Sequence, residues 1–274
     1  MHVTAHTDDG ADFRARQLAL FRGSVLKQAK WRALREATGP IGEVDALDLG
    51  ADNGVISWLF RREGGRWASG DLTDETTEAI RAMVRDDVYR LDRDGSLPFE
   101  DARFDLIVVA DLLEHVEDDG RLLAELARCT RAGGRVVLNV PHAKPRAVLR
   151  PIRHALGLTD VWHGHLHAGY TARTLGELLP PTLRLREVTT YSRFFSHALD
   201  TALNWIYLRA SRGRARSTAK GMVVTDGAGK SGRALRAAFP VMRAFAALDA
   251  LLPWTSGYML LATLERVPAV STRS

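Results

Sequence analysis

From Val44 onward the sequence alternates short β-forming apolar runs with segments that carry an apolar stripe at helical spacing. The strand-like runs are residues 44–49, 67–69, 88–91, 104–110 and 135–140. The clearest helical segment is 120–130, where leucines and an alanine repeat on one face. This alternation of strands and helices predicts right-handed crossovers and a parallel sheet. A sheet of this kind binds its ligand beyond the carboxyl ends of its strands.

The flanking sequence predicts additional elements around this core. Residues 13–37 have the pattern of one or two basic amphipathic helices, 171–179 of a helix, and 183–191 and 256–265 of strands. Residues 194–208 and 234–252 are two further helical runs, joined by a basic Gly/Ser-rich loop at 209–232. We therefore divide the chain into an N-terminal helical segment (1–40), a core (41–192), a basic helical insertion (193–254) and a final strand with a tail (255–274).

Composition indicates a folded protein of ordinary polarity. Hydrophobic residues make up 46% of the 274 residues and charged residues 26%. The single cysteine, Cys129, lies in a leucine-rich helical pattern, so we expect a buried thiol and a reducing, cytoplasmic setting. The polar first twelve residues argue against a signal peptide, and no apolar run approaches the length of a membrane span.

The net charge of +5 is concentrated in one segment. Between Arg193 and Arg243 there are ten Lys or Arg residues and two acids, whereas the remainder of the chain has more acidic than basic residues. Such a distribution points to a local anionic partner rather than to general affinity for nucleic acid.

Residues 44–57, VDALDLGADNGVIS, are the sharpest local motif. An apolar strand runs into Gly50, a polar turn follows, and Gly54 precedes the start of a helix. Glycines suit a loop that needs unusual dihedral angles or close approach to a ligand. The spacing differs from the GxGxxG of a dinucleotide site, because Asp52 occupies the place of the second glycine.

Further motifs follow the next strands in a fixed order. Asp71 ends the second strand, 21 residues after Gly50, and Asp92 ends the third. Next come two longer motifs, LPFEDARFDLIVVADLLEHVEDD (97–119) and RAGGRVVLNVPH (131–142). In this run the chain resembles the small-molecule branch of the class I S-adenosylmethionine-dependent methyltransferases, over about 41–192 and the last strand.

The resemblance implies a doubly wound α/β fold with a mostly parallel seven-stranded sheet, here with N-terminal helices and a helical, basic insertion before the last strand. It implies S-adenosylmethionine as cofactor, with the glycine loop around its methionine part, Asp71 on the ribose and Asp92 near the adenine amino group. Asp111 would lie beside the amino or sulfonium end. The expected cofactor site comprises Asp48, Gly50, Ala51, Asp52, Gly54, Asp71, Leu72, Asp92, Arg93 and Asp111.

Histidines are the candidates for removing a proton from the methyl acceptor. His115 follows the fourth strand, and His165 lies in the run WHGHLHAGY at 162–170. His115 could instead pack beneath the next helix. If this segment is extended, the alternating His163, His165 and His167 share one face. These histidines could line an acceptor pocket, bind a metal or lie at the surface. We expect no metal, since the sequence places no cysteine or further carboxylate near them.

The acceptor is expected to be a small or carrier-linked anionic molecule, methylated at oxygen. Segment 193–254 could be a lid, a peripheral membrane contact or an ordinary packed extension, and arginines at 209–216 with Lys220 suit an anionic headgroup. RNA methylation is an alternative, but ADLLEH stands where an amino-methylating loop would be. The other alternative is a non-catalytic cofactor-binding module. The sequence does not indicate an oligomeric state.

Overall fold

The computed structural model describes residues 6–144, 149–159, 163–210 and 230–268, and they form an α/β fold around one sheet. Its strands are β1 (Asp45–Leu49), β2 (Arg66–Asp71), β3 (Val88–Arg90), β4 (Phe104–Ala110), β5 (Thr130–Pro141), β6 (Leu183–Tyr191) and β7 (Met259–Arg266). Its α-helices are α1 (His6–Arg22), α2 (Val25–Thr38), α3 (Val55–Glu63), α4 (Asp74–Val84), α5 (Asp119–Cys129), α6 (Arg150–Ala155), α7 (Ala172–Leu178), α8 (Phe194–Ala210) and α9 (Lys230–Ala247). Short 3₁₀ helices cover Leu113–His115 and Leu248–Leu251.

The seven strands lie in the order β3-β2-β1-β4-β5-β7-β6. All neighbouring pairs are parallel except those of β7, which runs antiparallel to both β5 and β6. The order reverses between β1 and β4, so the carboxyl ends of these two strands form the crevice where such sheets bind ligands. This confirms the predicted doubly wound, mostly parallel seven-stranded fold.

Alternating side chains of the central strands fill a core on each face of the sheet. Leu47 and Ile107 belong to the cluster that packs against α5, while Ala46 and Leu106 belong to the cluster on the other face. In the second cluster Phe60 stacks on Trp67 at 4.6 Å between ring centroids. Burial on both faces explains why these strands are continuously apolar in the sequence.

Helix α5 shows how local sequence sets an element. The Asp118 side chain accepts a hydrogen bond from the Arg121 backbone N–H at 2.8 Å and so caps the helix. Leu122, Leu123 and Leu126 are buried against the sheet, as their spacing predicts. Asp118 therefore sets where α5 begins.

The segment between β6 and β7 contains α8 and α9, which pack against each other. Most of the basic loop 209–232, including Arg212, Arg214, Arg216 and Lys220, lies outside the described residues. Within the part of the chain that the structure describes, no helix has the length and apolar character needed to cross a membrane.

Candidate active site

The glycine loop after β1 is a tight turn built from left-handed backbone. Gly50 has φ 87°, Asp52 has φ 54° and Gly54 has φ 75°. Aspartate is one of the few residues with a side chain that adopts this conformation at low cost. The Gly50 N–H donates to the Gly70 carbonyl at 2.9 Å, which ties the loop to the end of β2. The turn thus leads directly into α3, as the sequence predicts.

Asp48 lies in a buried polar cluster, only 2% exposed. Its carboxylate accepts hydrogen bonds from the hydroxyls of Ser57 at 2.5 Å and Ser69 at 2.8 Å, and Arg61 lies 3.5 Å away. Burial raises the pKa of Asp48, while Arg61 opposes that shift. The structure therefore joins Asp48 to α3 and β2, and its predicted contact with a cofactor stays a prediction.

Asp71 is fully buried at the end of β2 and is directly connected to the glycine loop. Its carboxylate accepts from the backbone N–H of Asp52 at 3.2 Å and of Leu72 at 2.5 Å. Ala51 and Leu72 are buried beside it, at 3% and 1% exposed. This acid therefore holds the loop in place, in addition to the ribose contact predicted for it.

Asp92 and Arg93 follow β3 and are both exposed. The Arg93 carbonyl accepts from the Glu117 backbone N–H at 2.7 Å, which fixes this turn against the segment after β4. The structure thus leaves the Asp92 side chain accessible at the same edge of the sheet as Asp71. Its adenine contact stays a prediction.

Asp111, directly after β4, is the centre of a polar network. It has a left-handed backbone with φ 50°. One carboxylate oxygen accepts from the Asn139 amide at 2.6 Å, and the other pairs with Lys30. The Tyr191 hydroxyl donates to the Asn139 side-chain oxygen at 2.7 Å. The network brings together four side chains, from α2, from the position after β4, from β5 and from β6.

Two lysines of α2 face the acids of the site, and the sequence analysis did not identify them. Lys27 lies 3.8 Å from the Asp52 carboxylate, and Lys30 pairs with Asp111. Burial lowers the pKa of Lys27 despite the nearby Asp52. Burial is the largest single influence on Lys30 and opposes its charge, but the carboxylates of Asp111, Asp52 and Glu114 together raise the pKa of Lys30. Their spacing of three residues on a basic helix was the available signal.

A cavity of about 640 Å³ lies at the carboxyl ends of β1 and β4, with Asp52 and Asp111 in its lining. Gly50, Asp71 and Asp92 lie outside that lining. Its cationic lining residues are Lys27, Lys30, Lys144, Arg150 and Arg153. Its aliphatic and thioether lining includes Leu20, Val25, Leu26, Leu199, Leu203 and Met242. The cavity thus combines positive charge with a large apolar surface.

Both predicted catalytic histidines line this cavity and lie next to each other. The ring centroids of His115 and His165 are 5.0 Å apart in an edge-to-face arrangement. His163 stacks on His165 with 5.4 Å between the ring centroids. His115 is 1% exposed, and its Nδ1 lies 2.9 Å from the Gly164 carbonyl oxygen. The structure therefore places a nearly buried histidine and a half-buried one at the cavity.

Two expectations for the histidine run are wrong. The three histidines do not share one face, because His167 lies 3.1 Å from the Val116 carbonyl and 3.6 Å from the Asp119 carboxylate. The absence of a nearby carboxylate is also incorrect. Glu114, adjacent to His115 in sequence, presents a carboxylate oxygen within 4.8 Å of a nitrogen of both His115 and His165. The turn at Leu113–His115 brings them together.

Two further cavity residues, His197 and Tyr258, stack at 4.4 Å between ring centroids. Burial, with Arg153 and Lys144 nearby, lowers the pKa of His197 to about 3. Burial raises the pKa of Tyr258 well above its usual range. Both groups are therefore neutral near pH 7, and His197 is too weak a base to deprotonate an acceptor.

Comparison with known proteins agrees with this geometry. A family model described as a methyltransferase domain matches residues 47–138. Demethylmenaquinone methyltransferase of Thermobifida fusca is 33% identical over 142 residues, covering 47% of this chain and 56% of that protein. Ubiquinone biosynthesis O-methyltransferase of Ralstonia nicotianae is 25% identical over 193 residues, covering 65% of this chain and 79% of that protein. The chain thus spans little more than half the length of the first of these relatives.

A solved structure shares the fold. Geranyl diphosphate C-methyltransferase of Streptomyces coelicolor A3(2), in complex with Mg²⁺, geranyl diphosphate and S-adenosyl-L-homocysteine, superposes with a TM-score of 0.52 at 17% identity. The match covers 88% of this chain and 78% of that chain. Residues 47–138 thus match a methyltransferase domain, and the strand order and the glycine loop with its acids resemble those of the class I S-adenosylmethionine-dependent methyltransferases.

Proposed function

We propose that this protein transfers a methyl group from S-adenosylmethionine to an oxygen of a small, acidic, largely apolar acceptor. The observation that carries the proposal is the cavity at the carboxyl ends of β1 and β4. It joins the acids expected beside the cofactor, Asp52 and Asp111, to the histidines His115 and His165. With the methyl end of the donor and the acceptor in one cavity, the two can be aligned for in-line transfer while water is kept out.

The cofactor would lie across the glycine loop, with its ribose on Asp71 and its adenine toward Asp92. Its sulfonium and ammonium groups are cationic and suit the carboxylate of Asp111. Lys27 and Lys30 are close enough to Asp52 and Asp111 to receive the carboxylate of the methionine part. Binding would then exchange ion pairs within the protein for ion pairs with the cofactor.

The acceptor is proposed from the remaining lining of the cavity. Lys144, Arg150 and Arg153 supply positive charge, and Arg153 already pairs with Asp200 at 2.8 Å. Leucine, valine and methionine side chains supply apolar surface. An anionic molecule with an apolar body satisfies both. The names of the two relatives, from menaquinone and ubiquinone metabolism, support an apolar acceptor.

The chemistry needs one proton acceptor. The acceptor oxygen attacks the methyl carbon, the carbon–sulfur bond breaks, and its electron pair stays on sulfur, which leaves S-adenosylhomocysteine. The hydroxyl proton goes to a histidine, and His165 and His115 are the candidates. Because the Gly164 carbonyl can only accept, His115 carries a proton on Nδ1, and its basic atom is Nε2.

Calorimetry with S-adenosylhomocysteine tests the cofactor, and transfer of labelled methyl from S-adenosylmethionine tests the enzyme. We expect binding by the full chain and turnover with an apolar acidic phenol or carboxylic acid. His165→Ala should lower kcat by about a hundred-fold or more if His165 is the base. Absence of binding would refute the proposal. Binding without turnover on any acceptor would support a non-catalytic module instead, and normal turnover of both His115→Ala and His165→Ala would exclude both bases.

We also propose that an exposed apolar surface on the insertion contacts anionic membranes. We define this apolar surface as the exposed large apolar side chains of the segment between β6 and β7, which are Phe194, Ile206, Val241, Phe245, Leu248, Leu251 and Trp254. Val241 is 73% exposed and Trp254 is 77% exposed, and the exposed Arg209 and Arg243 belong to the same helices. Large apolar side chains beside arginines are typical of interfacial membrane binding.

Sedimentation with liposomes tests this surface. We expect the protein to bind vesicles that contain anionic lipid more strongly than neutral ones, and Val241→Ser with Trp254→Ser to reduce binding about ten-fold or more. Leu166→Ser is the matched control, because Leu166 is 55% exposed but belongs to a different segment. Equal binding to both vesicle types, or no effect of the double substitution, would contradict the proposal.

A further inference from the structure

Glu114, His115 and His165 form a cluster of three metal-ligand side chains at the wall of the cavity. Each offers one donor atom, a carboxylate oxygen or an imidazole nitrogen, and these atoms all lie within 4.8 Å of one another. We propose that this cluster binds one divalent transition-metal ion that contacts the methyl acceptor. The role in the reaction depends on the methyl transfer proposed above, whereas the binding of the ion does not.

The three donors are held by a frame of backbone contacts. The Leu166 N–H donates to the Glu114 carbonyl at 2.8 Å, and His115 Nδ1–H donates to the Gly164 carbonyl at 2.9 Å. His167, the next histidine in the loop, lies 3.1 Å from the Val116 carbonyl. The loop that carries His165 is therefore fixed to the turn that carries Glu114 and His115. A site whose ligands are already in place binds an ion without first ordering the chain.

The hydrogen bond of His115 also sets its tautomer. Because Nδ1 carries the proton, Nε2 presents a lone pair, as in metal-binding histidines that donate their other N–H to a carbonyl. Glu114 is 1% exposed, and a divalent cation beside a buried carboxylate lowers the cost of burying its charge. A fixed imidazole tautomer and a buried carboxylate are typical of metal ligands rather than of solvent-exposed side chains.

The donor types indicate the class of ion. Two imidazoles and one carboxylate suit Zn²⁺, Fe²⁺, Co²⁺ or Mn²⁺, whereas Mg²⁺ and Ca²⁺ prefer oxygen ligands alone. Three protein ligands also leave coordination positions for an exogenous group, which is the arrangement of catalytic rather than structural sites. Because all three residues line the cavity, those positions would be reachable from the acceptor.

A bound ion would change how the acceptor loses its proton. A divalent cation lowers the pKa of an oxygen that it binds, as it does for water. The acceptor hydroxyl would bind the ion and release its proton to solvent, and the resulting oxyanion would attack the methyl carbon. The carbon–sulfur electron pair would again stay on sulfur. His115 and His165 would then act as ligands, and the loss of activity in their variants would reflect loss of the ion.

Metal titration of the full chain tests the proposal without an acceptor. After treatment with a chelator and dialysis, we expect calorimetry to show one Zn²⁺ bound per chain, and Co²⁺ to give the visible absorption of a site with nitrogen ligands. Glu114→Gln and His165→Ala should each weaken Zn²⁺ binding about ten-fold or more. His167→Gln is the matched control, since His167 lies in the same loop but outside the cluster.

The outcomes are distinct for the ion and for the cofactor. No stoichiometric Zn²⁺ binding, or equal affinity in His165→Ala and His167→Gln, would overturn the metal proposal. Because Glu114 is nearly buried, circular dichroism checks that Glu114→Gln folds, and the half-buried His165 carries the test if it does not. Titration with S-adenosylhomocysteine is run on the same samples. Intact cofactor binding without metal binding would reject the ion alone, whereas absent cofactor binding would reject the proposed function.

Discussion

Asp71→Asn is expected to weaken S-adenosylhomocysteine binding by about 30- to 100-fold, which corresponds to about 2–3 kcal/mol. The native carboxylate accepts from the backbone N–H groups of Asp52 and Leu72 and is proposed to accept both ribose hydroxyls as well. An amide keeps the shape but replaces one acceptor by a donor. That donor would face either an N–H of the loop or a ribose hydroxyl. Calorimetry at fixed pH and ionic strength measures the change.

Asp92→Asn is the control for this prediction. Asp92 also follows a strand at this edge of the sheet, but its side chain is exposed, so water replaces much of any lost hydrogen bond. We expect its effect on affinity to be about ten-fold or less. Thermal denaturation of both variants separates lost ribose contact from a collapsed loop. An unchanged affinity in Asp71→Asn would show that the ribose lies elsewhere.

Two strands match their predicted bounds, the buried central strand β4 and the partly exposed edge strand β6. Phe104–Ala110 and Leu183–Tyr191 begin and end where their apolar and β-forming patterns do. Strand β5 begins at Thr130, five residues before the predicted start at 135, because the pair Gly133 and Gly134 lies within the strand rather than before it. Thr130 pairs with Phe104 across an irregularity in the register. A glycine pair marks unusual backbone, but it does not distinguish a bulge from a turn.

The residues of the candidate site also differ in how far the sequence predicts them. Asp71 was predicted from its place at the end of a strand, and the family resemblance implied a role for Asp111 directly after another strand; topology brings such strand ends together. Lys30 pairs with Asp111 across 81 positions of sequence, so only the packing of α2 over the sheet reveals it. The cluster of Glu114, His115 and His165 required the fold of two loops, which periodicity does not specify. Pairing between distant segments is therefore what the sequence analysis missed.

Gly54→Ala is expected to lower the free energy of unfolding by about 2–5 kcal/mol and to abolish cofactor binding. Gly54 has φ 75°, where a residue with a Cβ is strained by about 1–2 kcal/mol. The added Cβ would also meet the Ile80 Cα at 2.8 Å and the Met83 Cβ at 2.9 Å. Overpacking of this kind typically costs a further 1–3 kcal/mol, about as much as the strain or more. Because α4 would have to move away from the loop, the backbone that is proposed to surround the cofactor would move with it.

Gly176→Ala is the matched control, since Gly176 lies within α7 and an added Cβ there meets nothing within 4 Å. Alanine favours a helix over glycine, so we expect Gly176→Ala to be neutral or to stabilise the protein by up to about 1 kcal/mol. Urea denaturation followed by circular dichroism measures both variants under the same conditions. If Gly54→Ala were as stable as Gly176→Ala and still bound S-adenosylhomocysteine, the close packing of the loop on α4 could not be what shapes the cofactor site. If Gly54→Ala loses stability and Gly176→Ala does not, the role of Gly54 lies in its backbone conformation and in the space that it leaves for α4.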